Sequence, residues 1–379
     1  MTLTVGVLRE EATDERRVAL VPGDIPRRRE AGVAVLVEAG AGARAWFSDE
    51  AYAEGGAEVV GRVELCRLSD VVVCVGQPAL EVLAQLRPGQ AVLGLLGLLA
   101  SPARVAALAA QRLTAVSFDG LPRTASRAQG MDALTSQSNV AGYKAVLVAA
   151  AAFGRLLPML ITAAGTTRPA RVLVLGAGVA GLQAIGTAKR LGAVVSAYDV
   201  RPSAREEVAS MGAQFVTLGL AVDGAGEGGY ARALAPEEQR ALADALATPV
   251  GHADIVITTA QVPGRTPPLL VTDAAVKAMA PGSVIVDLAA GPHGGNVDGS
   301  RPGETFVTEN GVTIVGAANL PSTVPTAAST GYSRNVSALL RHLVRDGALH
   351  LDPDDEIRAG VVIMRDGVLS RHDAKGAEE

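Results

Sequence analysis

The stretch from Arg171 to Asp199 constrains the fold of this chain more than any other segment. It opens with Arg171–Leu175, a short run of branched apolar residues that is typical of a strand covered on both faces. The pattern G-x-G-x-x-G follows, and apolar residues then recur at helical spacing as far as Leu191. The three glycines, which would permit a tight turn, a pyrophosphate against the backbone and close helix packing, are Gly176, Gly178 and Gly181. The segment therefore predicts a phosphate-binding helix N-terminus rather than an ordinary glycine-rich turn, the alternative in a chain with 43 glycines.

A second strand, Val194–Tyr198, ends at Asp199, about 20 residues beyond the glycines. A carboxylate there can accept hydrogen bonds from both ribose hydroxyls, which favours NAD(H) over NADP(H). Arg201 follows two residues later and could bind a phosphate, so the other cofactor stays open. The residues that we predict to bind the cofactor in this unit are Gly176, Gly178, Val179, Ala180, Gly181, Asp199, Val200 and Arg201.

Strand-like runs alternate with helical ones along the chain, which indicates parallel α/β sheets. The predicted strands before the fingerprint are Leu3–Leu8, Val33–Glu38, Val71–Val75 and Ala91–Leu95, and those after it are Gln214–Leu218, Ile255–Thr259, Val284–Leu288 and Thr313–Val315. We therefore predict an α/β fold with two Rossmann-like, doubly wound parallel-sheet domains separated by a cleft. Residues 1–135 form the first domain, which residues 326–379 complete, and residues 136–325 form the second. In the returning segment, Ile357–Leu369 is predicted as two strands that turn at Asp366-Gly367.

The composition excludes several classes of protein. A net charge of −5 and 3% aromatic residues give no footprint for nucleic acid. Cys66 and Cys74 lack metal-ligand spacing, so we predict buried free thiols, no metal site and a reducing compartment. The N-terminus has no apolar core of the signal-peptide type, which favours the cytoplasm. Ala145–Gly165 approaches the length of a membrane span, but Arg155 and Pro158 interrupt it, so we predict a buried connecting helix without membrane insertion.

A dense polar cluster lies between two apolar segments, in Leu121–Val146. Its candidates for a catalytic role are Arg123, Arg127, Gln129, Asp132 and Thr135. At a domain junction such a cluster can form one wall of a cleft. It can equally mark a capped helix start, with Ser138 or Asn139 as the cap, and both interpretations can hold together.

Three further features concern ligand binding. The end of the strand at Ile255–Thr259 places Thr259, Ala260 and Gln261 beside the nicotinamide half of a bound cofactor. Gly219–Gln239 is a long glycine-rich loop, which we interpret as a closing lid that carries Gly229 and Tyr230. Arg16 and Arg17 either hold an acidic group or form a solvated basic pair.

Several of these segments together resemble one known family. They are RAQGMDALTSQSNVAGYKAV, the fingerprint with AYDVRP, the loop motif GGYA, and ITTAQVPGRTPPLLVTDAAVKAMAPGSVIVDLAA. Nearly the whole chain is similar to the NAD(H)-binding α subunit of the Re/Si-specific, proton-translocating nicotinamide nucleotide transhydrogenase. ERRVALVPG and VEAGAG resemble alanine dehydrogenase as well.

The resemblance implies direct hydride transfer from NADH on this chain to NADP⁺ on another subunit. It implies a homodimer held at the inner (plasma) membrane by a membrane-spanning subunit and an NADP(H)-binding beta subunit. Arg123, Gln129, Asp132 and Thr135 match positions around the nicotinamide, and Tyr230 matches the tyrosine of the mobile loop. Two departures stand out. PRTASR is one residue longer than the family's P-R-I-S-R, which leaves open whether Arg123 or Arg127 has the key role, and Thr135 stands where serine is usual.

Two other functions are possible. An alanine-type amino-acid dehydrogenase needs a base and a cation in the first domain, for which the relatives use a lysine and a histidine. Here no lysine precedes Lys144, no histidine precedes His252, and VCVGQP stands where those relatives carry K-x-K-E-P. A non-catalytic NAD(H)-binding regulator is the third hypothesis.

Overall fold

The computed structural model describes residues 2–30, 32–98, 101–220, 224, 226, 232–261, 266–353 and 355–370, with the backbone alone for 28–30. The chain divides into two compact units. The first consists of Met1–Gln137 with Pro321–Glu379, and the second of Ser138–Leu320. The first unit is therefore built from both ends of the chain.

Nineteen strands lie in the described part of the chain. They are β1 (Leu3–Val7), β2 (Val33–Glu38), β3 (Glu58–Val60), β4 (Val71–Val73), β5 (Ala91–Gly94), β6 (Thr114–Ser117), β7 (Leu160–Thr162), β8 (Gly165–Thr167), β9 (Arg171–Leu175), β10 (Val194–Tyr198), β11 (Gln214–Phe215), β12 (Ile255–Thr258), β13 (Val284–Asp287), β14 (Thr305–Val307), β15 (Thr313–Gly316), β16 (Val344–Arg345), β17 (Ala348–Leu349), β18 (Val362–Arg365) and β19 (Val368–Leu369).

Twelve α-helices lie in the same residues. They are α1 (Ile25–Glu30), α2 (Asp49–Glu54), α3 (Arg62–Leu68), α4 (Leu80–Leu83), α5 (Pro102–Ala110), α6 (Ala133–Ala152), α7 (Val179–Arg190), α8 (Ala204–Ser210), α9 (Pro236–Gly251), α10 (Asp273–Lys277), α11 (Pro325–Leu343) and α12 (Glu356–Val361). None of these helices is both long enough and apolar enough to cross a bilayer.

The first unit contains an eight-stranded sheet in the order β19-β18-β6-β5-β4-β1-β2-β3. Its strands from β3 to β6 are parallel, whereas β18 runs antiparallel to β6. The central strands are apolar on both faces, because each face packs against its own buried cluster. Helix α11 completes one of these clusters with the fully buried Tyr332, whose hydroxyl donates to the Cys74 carbonyl oxygen over 2.9 Å. The C-terminal part of the chain is thus integral to this sheet.

The second unit contains a seven-stranded sheet in the order β11-β10-β9-β12-β13-β15-β14, parallel except for β14. Alternate residues of β9 face two different cores, with Val172 and Val174 on one side and Leu173 and Leu175 on the other. The chain continues from β9 to β10 on one side and later returns to β12 on the other. The predicted α/β fold of two Rossmann-like, doubly wound sheets is therefore confirmed.

Two sequence predictions about elements between the sheets are wrong. Residues 145–165 do not form one buried helix, because α6 ends at Ala152 and an exposed hairpin, β7–β8, begins at Leu160. Gly154 and Pro158 lie between the two, and neither favours continuation of a helix. The start of α6 was also placed too late. Asp132 caps this helix by accepting the Thr135 amide over 2.8 Å, so Ser138 and Asn139 lie inside the helix.

Two further segments differ from the sequence predictions. Residues 357–361 belong to helix α12, not to a strand, because Asp355 accepts the amides of Ile357 and Arg358 and so caps a helical turn. The predicted hairpin turn at Asp366-Gly367 is confirmed, with positive φ angles of 49° and 83°. The loop predicted to extend to Gln239 ends earlier, since α9 begins at Pro236.

Candidate nucleotide-binding site

The order of strands in the second unit reverses between β9 and β12, and a crevice for a ligand opens at the carboxyl ends of such strands. Gly176 follows β9 and Thr259 follows β12. The Thr259 hydroxyl donates to the Gly176 carbonyl oxygen over 2.9 Å, and the Thr259 amide donates to the Leu175 carbonyl oxygen over 2.8 Å. The two sides of the crevice are therefore joined directly at its floor.

The three glycines of the fingerprint have different structural reasons. Gly176 has φ of +97°, in the region that favours glycine. At Gly181 a Cβ would lie 1.8 Å from the Gly176 carbonyl oxygen, so helix α7 can approach β9 only without a side chain there. At Gly178 φ is −75°, and a Cβ would meet no protein atom within 4 Å. The protein itself does not require glycine at this position, which leaves a ligand against the backbone as the reason.

The N-terminus of α7 supplies the anion-binding groups. Gly178 is its N-cap, and the first helical hydrogen bond runs from the Leu182 amide to the Gly178 carbonyl oxygen over 2.8 Å. The amides of Val179, Ala180 and Gly181 therefore precede the first helical acceptor and are oriented for phosphate oxygens. Helix α6 packs closely here, because a Cβ at Gly142 would lie 2.0 Å from the Ala180 carbonyl oxygen.

The carboxylate of Asp199 lies at the end of β10, as the sequence predicts, but its oxygens already have partners. Oδ2 accepts the Ala177 amide over 2.7 Å, which ties the acid to the glycine-rich turn. Arg201 donates to Oδ1 from its amide and from Nε, and to Oδ2 from Nη2, each over 2.9 Å. This hydrogen bonding raises the pKa of Arg201. A ribose that binds Asp199 must therefore displace or share the guanidinium, an interaction that the sequence analysis missed.

On the other side of the crevice, Ala260 is half-buried and Gln261 is exposed. Both backbone groups of Ala260 are bound by the side chain of Asn296, a buried residue that the sequence analysis did not single out. On the fingerprint side, the Val200 carbonyl oxygen accepts the Gly224 amide over 3.0 Å. Gly229 and Tyr230, which we predicted to lie in a lid, are outside the described residues.

Three of the five candidate catalytic residues form one cluster in the first unit. Arg123 donates from Nε to Asp132 Oδ2 over 2.9 Å and from Nη2 to the Thr135 hydroxyl over 2.7 Å. The Thr135 hydroxyl in turn donates to Asp132 Oδ2 over 2.6 Å. Asp132 is buried, with 9% exposure, and also caps α6. The carboxylate thus fixes the helix start and the direction of the guanidinium together.

The other two candidates are placed differently. Arg127 has a 66% exposed side chain and pairs with Asp355 and Glu356 at 3.9 and 3.4 Å. Gln129 is exposed and lies in a 3-10 helix, Ser126–Met131, which ends before Asp132. The prediction that Gln129 and Asp132 share the face of one helix is therefore wrong, because the backbone leaves the helical region at Asp132 with ψ of 87°. Of the two arginines, only Arg123 lies in the cluster with Asp132.

The alternative of a solvated basic pair is wrong for Arg17. Its buried guanidinium binds Glu15 through Nε and Nη2 and donates from Nη1 to Gln137 over 2.7 Å. Arg16 lies over the ring of Trp46, 5.7 Å from its centroid. The two cysteines are free and buried, as predicted, and burial raises the pKa of both thiols.

Comparison with known proteins agrees with this architecture. The family models for the alanine dehydrogenase/PNT N-terminal and C-terminal domains match residues 6–141 and 145–372. NAD(P) transhydrogenase subunit alpha of Cereibacter sphaeroides is 43% identical over 97% of this chain and 71% of that protein. In Rhodospirillum rubrum, the first of the separate chains of NAD(P) transhydrogenase subunit alpha is 41% identical over 97% of each chain. The solved structure of transhydrogenase from Sinorhizobium meliloti matches with a TM-score of 0.84 at 37% identity, over 97% of this chain and 98% of that one. This chain therefore belongs to the alanine dehydrogenase/PNT family and, within it, to the NAD(P) transhydrogenase alpha subunits.

Proposed function

We propose that this chain binds NAD(H) at the carboxyl edge of its second sheet and exchanges a hydride with NADP(H) on a partner subunit. The observation that carries the proposal is Gly178. Its backbone conformation and its open surroundings demand no glycine, so a ligand backed by the α7 amides accounts for it. Asp199 at the end of β10 supports a cofactor with a free ribose. Hydride transfer between two nicotinamides needs orientation and exclusion of water, and no general base.

The cluster of Arg123, Asp132 and Thr135 fits such a role. Its carboxylate is paired with a guanidinium and bound to a hydroxyl, so it is held as a rigid polar surface. We propose that this surface orients the dihydronicotinamide, with Arg123 rather than Arg127 as the key arginine. An alanine-type dehydrogenase has less support, because the first 143 residues contain neither a lysine nor a histidine.

The test is hydride transfer with an isotopic label. The chain is mixed with its NADP(H)-binding partner, an NADP⁺ analogue, and NADH that is deuterated at the transferred position. Direct transfer retains the deuterium in the reduced analogue, and the chain alone gives no turnover. Loss of the label to water contradicts direct transfer, and oxidation of alanine by the chain alone favours the amino-acid dehydrogenase. Binding of NADH with no turnover in any mixture favours the regulator.

We further propose that the chain works as a homodimer in a proton-translocating complex, peripheral to the membrane through partner subunits. The hairpin β7–β8 supports the homodimer. Its strands pair only with each other among the described residues, and Met159 and Ile161 beside and within it are 56% and 75% exposed. An isolated two-stranded hairpin is marginal in water, so a second copy is expected to cover it. Sedimentation of the wild type as a dimer and of Ile161→Asp as a folded monomer is the expected result; a monomeric wild type contradicts it.

A further inference from the structure

The side chain of Asn296 replaces a strand for Ala260. Pairing between β12 and β13 ends at Thr258, so Ala260 has no neighbouring strand on that side. Asn296, fully buried, accepts the Ala260 amide at Oδ1 over 3.0 Å and donates from Nδ2 to the Ala260 carbonyl oxygen over 2.9 Å. One amide group thus satisfies both backbone groups, as a paired strand would.

The same residue also holds the chain farther along. Asn296 Nδ2 donates to the Pro268 carbonyl oxygen over 2.8 Å, and the Asn296 carbonyl oxygen accepts the amides of Leu270 and Val271 over 2.8 and 2.9 Å. Asn296 therefore joins the chain that enters the segment 261–267 to the chain that leaves it. Both ends of this segment are fixed by one buried side chain and its own backbone.

Asn296 is in turn placed by Asp287, the last residue of β13. The buried carboxylate accepts the Val297 amide over 3.3 Å and the Thr258 hydroxyl over 2.8 Å. A Cβ at Gly295 would lie 2.2 Å from Asp287 Oδ2, so the chain passes directly over this carboxylate. The position of Asn296 is therefore determined by the ends of β12 and β13 and not by solvent-exposed contacts.

We propose that Asn296 is a positioning residue for the nicotinamide half of the cofactor. It acts through Ala260, whose backbone it fixes, and so determines where the exposed Gln261 lies at the edge of the crevice. The adenine half depends instead on the glycine-rich turn, α7 and Asp199, none of which contacts Asn296 in the hydrogen bonds described above. The inference rests on the proposed function only in assigning the nicotinamide to the Thr259–Gln261 side.

Asn296→Asp tests the proposal in the full chain. The change is isosteric and keeps an acceptor for the Ala260 amide, but it removes the donors and sets an anion against the carbonyl oxygens of Ala260 and Pro268. Asn310→Asp is the matched control. Asn310 Nδ2 donates to the carbonyl oxygens of Val276 and Met279 over 3.1 and 3.3 Å, in the turn before β15 begins and so at the opposite edge of the sheet.

The readout is the pair of dissociation constants for NADH and for ADP-ribose, which lacks the nicotinamide. We expect Asn296→Asp to raise the NADH constant about 10-fold or more and to change the ADP-ribose constant less than about 2-fold. Asn310→Asp should alter neither, although both variants lower the melting temperature. Equal weakening of both ligands, or an unchanged NADH constant, overturns the proposal. If Asn296→Asp does not fold, Asn296→Ser is judged by the same ratio. Neither measurement uses NADP⁺, so a failure of hydride transfer is recorded separately.

Discussion

The guanidinium of Arg201 grips the carboxylate of Asp199 through two parallel hydrogen bonds of 2.9 Å, from Nε to Oδ1 and from Nη2 to Oδ2. The side chains are 19% and 7% exposed, so the pair lies at the surface of the crevice without being freely solvated. An acid that was expected to meet the ribose is thus already neutralised. Cofactor choice therefore depends on the pair rather than on the acid alone.

We expect Arg201→Gln to increase the preference for NADH over NADPH by about 10-fold, because it frees the Asp199 carboxylate for the ribose hydroxyls and removes the cation that a 2′-phosphate would meet. Asp199→Asn should have the opposite effect, because it leaves the guanidinium without its anion. Titration calorimetry with both cofactors measures the ratio. A ratio that is the same in all three proteins would show that the adenosine ribose binds elsewhere.

The fingerprint glycines allow a matched pair of substitutions. Gly178→Ala should leave the melting temperature nearly unchanged, since its φ is −75° and the Cβ has room, yet weaken NADH about 10-fold by blocking the pyrophosphate. Gly181→Ala should instead lower the stability by about 1–3 kcal/mol, because its Cβ would collide with the Gly176 carbonyl oxygen. Thermal unfolding and NADH fluorescence separate the two effects. Unchanged NADH affinity in Gly178→Ala contradicts the assigned site.

The two arginines of the polar cluster should differ in hydride transfer. Arg123→Gln is expected to slow transfer by about 100-fold, because the side chain that binds Asp132 and Thr135 is lost from the cluster. Arg127→Gln serves as the control and should change the rate less than about 2-fold, since its ion pairs are exposed. Stopped-flow rates with the partner subunit measure both. Equal losses in the two variants would contradict the assignment of Arg123.

Asp132→Asn distinguishes the two roles of this carboxylate. Asparagine caps a helix about as well as aspartate, so the stability of α6 should fall by no more than about 1 kcal/mol. The charge that holds Arg123 is lost, and transfer should slow far more than NADH binding weakens. Stopped-flow transfer is compared with melting curves of the same preparation. A lower melting temperature with normal transfer would leave Asp132 only its capping role.

Glu10 should make stability depend on pH. Burial raises the pKa of this carboxyl from 4.5 to about 7, against the opposing hydrogen bond from the Val75 amide. The folded protein then binds more protons than the unfolded chain between these values, so the free energy of unfolding falls as pH rises from 4.5 to about 7 and levels off above. In Glu10→Gln this loss, about 2 kcal/mol after allowance for partial exposure, should disappear. Urea unfolding at pH 5 and 8 tests it; parallel curves for the two proteins contradict it.

The sequence predicts the strands of this fold well, because buried parallel strands are continuous apolar runs between turn residues. Val33–Glu38 and Arg171–Leu175 were bounded correctly for this reason. The helical turn at 357–361 was missed because its branched apolar residues resemble a strand, while the cap at Asp355 lies outside the run. The start of α6 was missed because Asp132 had been assigned to the site alone.

Contacts between side chains distant in sequence could not be predicted. Nothing in the local pattern shows that Asn296 binds Ala260, since 36 residues separate them and only the fold brings them together. The spacing of Asp199 and Arg201 permits an ion pair but also permits both side chains to bind a ligand. The choice between Arg123 and Arg127 likewise depended on where the longer PRTASR segment turns, which the backbone alone determines.

Because α11 and β18 come after the second unit in the chain, the order of synthesis differs from the order of the domains. A ribosome that has released the first 137 residues has made β1 to β6 but not Tyr332 or the strand that pairs with β6. The intervening residues 138–320 have all their strands earlier and can fold while translation continues. We therefore expect the nascent first unit to wait, with one edge and one core incomplete, until the last segment emerges.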